Sequence, residues 1–266
     1  MKLYKTYKFD NLNYESLYVV GDLHGLFELF RFKLKELKIT NSIFIVAGDC
    51  GFGFEKKGHY LNIYRKFSKL LLENNITILF VRGNHDDPSY FDGFELNYKN
   101  FTCIPDYSVI SFNNENILCI GGAVSVDRMS RKIDEINSGF KYKLYWPNEP
   151  VLYRPRILKQ IKNDCIDINH VVTHTKPSFI PPYGKEGVSL FIEDDPKLEE
   201  DLNNENQIMN NIFNDLVKKY CYQINNWVFG HFHQHSLNFH EGVRFINLDM
   251  FRTKGNSFDY IELIRK

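Results

Sequence analysis

The first part of the chain alternates short apolar runs with longer segments of helical periodicity. The apolar runs at 17–20, 43–47 and 76–80 are rich in β-branched residues, and a glycine followed by polar residues comes soon after each. Such runs are typical of buried strands. Segments 26–38 and 58–73 repeat apolar residues at helical spacing. This alternation predicts parallel strands joined by right-handed crossovers, with helices covering the sheet.

The rest of the chain has shorter strands and more turns. Runs at 101–104, 109–112 and 117–120 are separated by turn residues, which predicts hairpins in a second sheet. Further patterns predict helices over 156–162 and 208–220, and strands over 170–173, 227–229, 244–248 and 258–264. We therefore expect an α/β fold with two mixed sheets.

One segment interrupts this order. Pro181-Pro182 opens a stretch with acidic clusters at 193–195 and 199–201, a composition typical of a solvated surface segment. We expect one domain over residues 1–266, from which residues at about 178–206 project as a surface insertion or a lid.

Composition limits the classes of protein to consider. The chain has 266 residues, of which 43% are hydrophobic, enough to bury a sizeable core. The 33 basic and 33 acidic residues balance, so the basic excess typical of nucleic-acid binders is missing. The five cysteines include no Cys-x-x-Cys pair, which disfavours a disulfide framework or a zinc ribbon. No apolar run approaches the roughly 18 residues of a membrane span, and we expect a cytoplasmic protein with no membrane partner.

Side chains that bind metals follow five of the predicted strands. In chain order they are Asp22 and His24, Asp49, Asn84 and His85, His174, and His231 and His233. Carboxylate, imidazole and amide oxygen suit divalent ions such as Mn, Fe, Zn, Co and Ni. Without His85 these are seven donors, too many for one ion that keeps an open position. They suit two ions that share a bridging carboxylate.

The motifs at these strand ends also occur in a familiar order. They are Asp22-Leu23-His24-Gly25, Gly48-Asp49, Gly83-Asn84-His85-Asp86, Thr173-His174 and Gly230-His231-Phe232-His233. This ordered set covers residues 18–233 and resembles the calcineurin-like metallophosphoesterase superfamily. The resemblance implies a four-layer α/β/β/α sandwich of the metallophosphatase type, with metals at the strand ends.

The resemblance also implies a role for each of these residues. One metal would be held by Asp22, His24, Asp49 and His233, and the second by Asp49, Asn84, His174 and His231. Asp49 would then bridge the two ions, for which Mn is the expected metal and Fe, Zn, Ni or Co are alternatives. His85 would protonate the leaving oxygen or stabilise the charged transition state. Attack on phosphorus by a metal-activated hydroxide would need no protein nucleophile.

These features predict a hydrolase that cleaves phosphoester bonds as a phosphatase or phosphodiesterase. Protein Ser/Thr phosphatases of the superfamily usually continue their second block as Asp-Arg-Gly, whereas Asp49 is followed by Cys50-Gly51. This departure favours a nucleotide, a cyclic nucleotide or another small phosphoester, although the Asp22-Leu23-His24-Gly25 block still resembles the phosphoprotein branch. A nuclease or end-processing phosphatase is the alternative, disfavoured by the lack of basic excess, followed by a phosphoprotein phosphatase. A non-catalytic scaffold ranks last, because no ligand position is vacant.

Four more residues are candidates for contacting substrate or supporting the metal ligands. They are Asp86, Arg82, Arg128 and Arg131. Guanidinium groups bind phosphate oxygens through paired donors, and a surface ion pair is the alternative role for each arginine. Arg128 ranks first because it follows Gly121-Gly122 in a segment expected to be a loop near the site.

Overall fold

The predicted alternation of strands and helices is present in the computed structural model, which describes residues 2–10, 13–56, 58–183, 187–255 and 257–266. The strands are β1 (Thr6–Lys8), β2 (Ser16–Val20), β3 (Ser42–Val46), β4 (Ile76–Phe80), β5 (Asn97–Tyr98), β6 (Phe101–Cys103), β7 (Ser108–Phe112), β8 (Glu115–Ile120), β9 (His170–Thr173), β10 (Asn226–Phe229), β11 (Ser236–His240), β12 (Val243–Asn247) and β13 (Tyr260–Arg265). The helices are α1 (Phe27–Glu36), α2 (His59–Glu73), α3 (Arg128–Asn137), α4 (Pro155–Asn163), α5 (Val188–Asp194) and α6 (Leu198–Phe213).

The strands form two mixed sheets in the described part of the chain. The first sheet has the order β13-β2-β3-β4-β6-β5 and the second has the order β1-β7-β8-β9-β10-β12-β11. Strands β2, β3, β4 and β6 run parallel, as do β8, β9, β10 and β12. The parallel strands whose ends carry the candidate metal ligands therefore occupy the middle of each sheet.

The two sheets pack face to face between two layers of helices. Leu17 and Ile43 of the first sheet share one buried cluster with Val172 and Val228 of the second. On the outer face of the first sheet, buried residues of α1 and α2 pack on the strands. Residues of α4 and α6 do the same on the second sheet. Strand β3 is buried at every position. Because side chains alternate between the two faces of a strand, both faces of the first sheet are covered at β3. The fold is the α/β/β/α sandwich.

Two elements differ from the sequence-based prediction. The apolar run at 101–104 predicts a strand of the second sheet, but β6 pairs in parallel with β4 in the first. The hydrophobic pattern predicts that a strand forms but not which strand it pairs with, so the predicted sheet was wrong. Arg128 was expected in a loop, but it begins α3. Only two residues of this helix, Arg128 and Arg131, are buried, so α3 lacks the apolar stripe that predicts a surface helix.

The acidic segment is more structured than its composition suggests. It contains α5 and α6, and α6 begins well before the predicted residue 208. Leu198, Met209 and Ile212 of α6 are buried, so this helix is part of the core as well as of the surface. Residues 184–186 of the expected insertion lie outside the described residues. None of the described helices has the length and apolar character needed to cross a membrane.

Candidate metal centre

The predicted metal ligands converge from both sheets. Asp22 and His24 follow β2, Asp49 follows β3, Asn84 follows β4, His174 follows β9, and His231 and His233 follow β10. Ligands of open α/β sheets bind beyond the carboxyl ends of parallel strands. Here two such edges meet, and the donor atoms form two overlapping clusters, in each of which the donor atoms lie within 4.8 Å of one another.

The first cluster consists of Asp22, His24, Asp49 and His233. The Nε2 atoms of His24 and His233 lie 3.1 Å apart. His233 Nε2 is 3.2 Å from Asp22 Oδ2, and His24 Nε2 is 3.8 Å from Asp49 Oδ2. Two imidazole nitrogens and two carboxylate oxygens thus face a common point.

The second cluster consists of Asp49, His174 and His231, with Asn84 beside them. His174 Nε2 lies 3.1 Å from Asp49 Oδ1 and 3.0 Å from Asn84 Oδ1. The other ring nitrogen, Nδ1, lies 2.8 Å from the carbonyl oxygen of Ala47. That carbonyl can only accept, so Nδ1 carries a proton, and Nε2 is the ring nitrogen that would bind a metal.

The charges of these groups favour a cation. Burial alone would raise the pKa of the Asp49 carboxyl, but the imidazoles of His174 and His85 hold that pKa well below its usual range. Burial disfavours a charged His174, yet the carboxylates of Asp49 and Asp22 outweigh it and raise the pKa of His174 to about 9. The converging carboxylates therefore attract positive charge, and this oxygen and nitrogen donor set fits two divalent ions that share Asp49.

Glycines allow the strand ends to approach this closely. A Cβ atom on Gly48 would overlap the ring of His174, and one on Gly83 would overlap the backbone and carboxylate of Asp49. A Cβ on Gly230 would overlap the Asp22 carboxylate. Three of the candidate ligands thus follow a glycine, and the absence of a side chain on each glycine leaves room for a residue at a neighbouring strand end.

Asp86 joins two of the ligand-bearing loops. Its buried carboxylate accepts hydrogen bonds from the backbone N–H groups of Cys50, Gly51 and Phe52, at 3.0, 2.8 and 2.9 Å. It also accepts one from Gly83 N, at 2.8 Å. The side chain of Asp86 therefore holds the loop after Asp49 to the loop that carries Asn84, and so fixes the relative position of these two candidate ligands.

A buried polar network that the sequence analysis missed orients Asn84. Asn84 Nδ2 donates to Ser125 Oγ at 2.9 Å, and Ser125 Oγ donates to Glu149 Oε2 at 2.8 Å. Arg131 Nη2 also donates to Ser125 Oγ. The hydroxyl thus uses one donor and two acceptor sites, and the Asn84 amide is fixed with Oδ1 towards His174. Ser125 and Glu149 belong to no recognisable motif, so no sequence signal identified them.

The structure gives the three candidate arginines protein partners. Arg82 is 3% exposed and donates to the carbonyl of Glu149 at 2.5 Å and to Asp106 at 2.9 Å. Arg128, the leading candidate, forms ion pairs with Asp195 and Asp201, both at 2.5 Å. These contacts argue against Arg82 and Arg128 as substrate ligands. Arg131 supports Asn84 through Ser125.

His85 lies at the edge of the first cluster. Its backbone N–H donates to Asp49 Oδ1 at 2.7 Å, and its ring centroid is 5.3 Å from that of His24. Burial lowers the pKa of His85 to about 4. The ring lines a cavity of about 460 Å³ together with His24 and Phe54, so it borders both the donor cluster and open space.

Comparison with known proteins identifies the family. The family model described as calcineurin-like phosphoesterase matches residues 16–235, whereas no curated protein matches the chain. Similar solved structures include a dimetal phosphatase from Danio rerio, with 10% identity and a TM-score of 0.46 over 99% of this chain and 93% of that one. A phosphopantetheinyl hydrolase from Mycobacterium tuberculosis has 13% identity and a TM-score of 0.41 over 94% and 97% of the two chains. From the family match over most of its length, the chain belongs to the calcineurin-like phosphoesterases and is a metal-dependent phosphoester hydrolase.

Proposed function

We propose that the chain hydrolyses small phosphate esters, with nucleotides as the leading class, at a centre of two divalent ions. The observation that carries this proposal is the position of Asp49, whose carboxylate belongs to both donor clusters. A shared carboxylate places two ions close together, in the arrangement that serves displacement at phosphorus. When bound, the ions would activate the attacking water and neutralise charge on the phosphoryl oxygens.

Each side chain then has a defined task. Asp22, His24, Asp49 and His233 would hold one ion, and Asp49, Asn84, His174 and His231 the other. Asp86 and Ser125 keep the ligand loops and the Asn84 amide in place. His85 would donate a hydrogen bond to the leaving oxygen from its neutral ring, because burial lowers the pKa of His85 to about 4 and the ring borders both the cluster and a cavity.

The space around the clusters supports a small substrate. Cavities of about 240, 460 and 650 Å³ border His231, His85 and the pair His24 and His233. The formal charge of zero gives no general attraction for a nucleic-acid backbone. A small phosphoester therefore fits the site better than a polymer.

Hydrolysis of p-nitrophenyl phosphate and bis-(p-nitrophenyl) phosphate tests the proposal. Metal-stripped protein would be reloaded with Mn, Ni or Zn and compared with Asp49→Asn and His85→Ala. We expect Asp49→Asn to abolish turnover, and His85→Ala to lower kcat by about 10²-fold or more, the usual effect of removing a hydrogen-bond donor from a developing negative charge. Asp167→Asn is the matched control, since Asp167 is exposed and follows α4, away from the ligand loops. Turnover that survives Asp49→Asn would refute the shared-carboxylate centre, and the preferred ester would distinguish phosphatase from phosphodiesterase.

A further inference from the structure

We propose that the cavity beside His231 binds an anionic group, either a carboxylate or a second phosphate, on the leaving group of the substrate. This inference rests on the proposed function, because it assigns the part of the substrate that lies beyond the reacting phosphate. The site is defined by Lys176 and by its neighbours Thr175, Ser178, Asn206, His231 and Phe232, which line the cavity.

The cavity adjoins the second donor cluster. His231 belongs to that cluster and also lines the cavity, whose volume is about 240 Å³. Thr175 and Lys176 follow His174 directly along the chain, and residues of α5 and α6 close the opposite side. A phosphoryl group at the cluster would therefore place its leaving group within reach of this space.

Lys176 is the unusual residue of the cavity. It is 4% exposed, although a buried ammonium normally has a carboxylate partner. Its Nζ lies 4.8 Å from the ring centroid of Phe232, and its hydrogen bond to the carbonyl of Pro177 is long, at 3.5 Å. Among the described residues no carboxylate forms an ion pair with Lys176 within 4.0 Å. Most of its donor capacity is thus available for a bound anion.

The acidic residues that line the cavity do not form an ion pair with the Lys176 ammonium group among the described residues. Glu205 accepts hydrogen bonds from the backbone N–H of Val124 at 2.5 Å and from Thr175 Oγ1 at 3.0 Å. Its carboxylate is held by these contacts. Glu199 is exposed at the rim. Of the described lining residues, a ligand anion would meet the ammonium group of Lys176, with the half-buried Asn206 amide as a further donor.

Three phosphate esters of equal chain length test this assignment. They are 3-hydroxypropyl phosphate, with a neutral leaving group, 3-(phosphonooxy)propanoate, with a carboxylate, and propane-1,3-diol bisphosphate, with a second phosphate. Phosphate release by the Mn-loaded enzyme gives kcat/KM for each ester. The comparison of the two anionic esters identifies which anion the cavity prefers.

We expect the wild type to prefer at least one anionic ester over the neutral ester by roughly tenfold or more, the usual effect of a charge-assisted hydrogen bond. Lys176→Met should remove this preference, whereas Lys176→Arg, which retains the positive charge, should keep it. Because no described carboxylate pairs with Lys176, Lys176→Met leaves no ion-pair partner behind, and we expect it to fold as the wild type does, which thermal unfolding would check. Lys218→Met is the matched control, because Lys218 is exposed and pairs with Glu241. A preference unchanged by Lys176→Met would overturn the inference.

Calorimetric titration of the metal-free protein with glutarate separates this inference from the proposed function. Glutarate binding weakened about tenfold or more by Lys176→Met supports the anion site even if no ester is hydrolysed, in which case the proposed function alone fails. Equal binding by wild type and Lys176→Met would overturn the anion site even if all three esters are hydrolysed.

Discussion

At the scale of single residues, the site depends on side chains that would not touch a metal. The Asn84 amide can present its oxygen to a cation because its nitrogen is bound to Ser125. Glu149 and Arg131 hold that hydroxyl in turn. Partners of this kind around metal ligands typically change metal affinity by about 10- to 100-fold when they are lost.

Ser125→Ala is therefore expected to weaken Mn binding at the second site by about 10- to 100-fold. Equilibrium dialysis with the metal-stripped protein measures this effect without reference to turnover. Ser111→Ala is the control, because Ser111 on β7 also bonds a side-chain oxygen, that of Asn116, away from the site. Equal Mn affinity in the two variants would show that Ser125 does not orient the ligand.

The candidate ligands themselves could be found in the sequence, whereas their supports could not. Asp49, Asn84 and His231 each follow a glycine at the end of an apolar run, so motif and position agree. Ser125 and Glu149 acquire their role only when the loops after β8 and α3 meet Asn84 in space. The sequence identified the three arginines as groups that can bind phosphate. It did not show that Arg82 and Arg128 are buried and paired with aspartates.

At the scale of elements, the close approach of strand ends depends on glycine. Gly230 separates β10 from His231, and the space that its Cβ would need is filled by the Asp22 carboxylate. Any larger residue there must displace β10, Asp22 or both.

Gly230→Ala is expected to weaken Mn binding by the protein at least tenfold, because it moves Asp22 or the His231 loop out of position. Isothermal titration with Mn measures the change. Gly242→Ala provides the comparison, since Gly242 has a φ of 80° but no heavy atom near its Cβ position. Gly242→Ala should cost about 1 kcal/mol of stability through backbone strain and leave Mn affinity intact. Comparable losses of affinity in both variants would contradict the steric argument.

Ion pairs join Arg128 at the start of α3 to Asp195, which directly follows α5, and to Asp201 of α6. The hydrogen bond from Arg128 lowers the pKa of Asp195 below its usual value, while burial opposes this shift. The ion pair therefore contributes stability above the ordinary aspartate pKa of about 4. That contribution is lost as the pH falls through the lower pKa of the folded state.

Arg128→Met should lower the free energy of unfolding at pH 7 by about 3 kcal/mol, because it leaves the buried Asp195 carboxylate without a counter-charge. It should also flatten the loss of stability below pH ~4 that the wild type shows. Urea unfolding at pH 7, 4 and 3 measures both effects. Arg65→Met, which changes an exposed arginine of α2, should leave the pH dependence as in the wild type. A steeper acid dependence in Arg128→Met would contradict this account.

The acidic start of α6 illustrates why element prediction was incomplete. Glu199, Glu200 and Asp201 occupy its first turn, where negative charge favours a helix N-terminus. Read as composition alone, the same residues suggested a solvated loop. Met209 and Phe213 are buried against the second sheet. This tertiary contact is not evident from the sequence of an acidic segment.

At the scale of the whole molecule, the centre forms only when the two sheets are packed together. Asp22, His24, Asp49 and Asn84 come from the first sheet, and His174, His231 and His233 come from the second. Metal binding is therefore coupled to tertiary structure. The order of motifs along the chain was readable, but the membership of β6 in the first sheet was not, because pairing is decided by the packing of all strands.

The number of Mn ions bound per chain tests the central claim most directly. Metal-stripped protein would be dialysed against Mn, and bound metal would be measured for wild type, His233→Ala, His174→Ala and Asp49→Asn. A centre built on a shared Asp49 predicts two ions in the wild type, loss of one ion in either histidine variant, and loss of both in Asp49→Asn. A wild type that saturates with one ion, or an Asp49→Asn variant that keeps two, would contradict it.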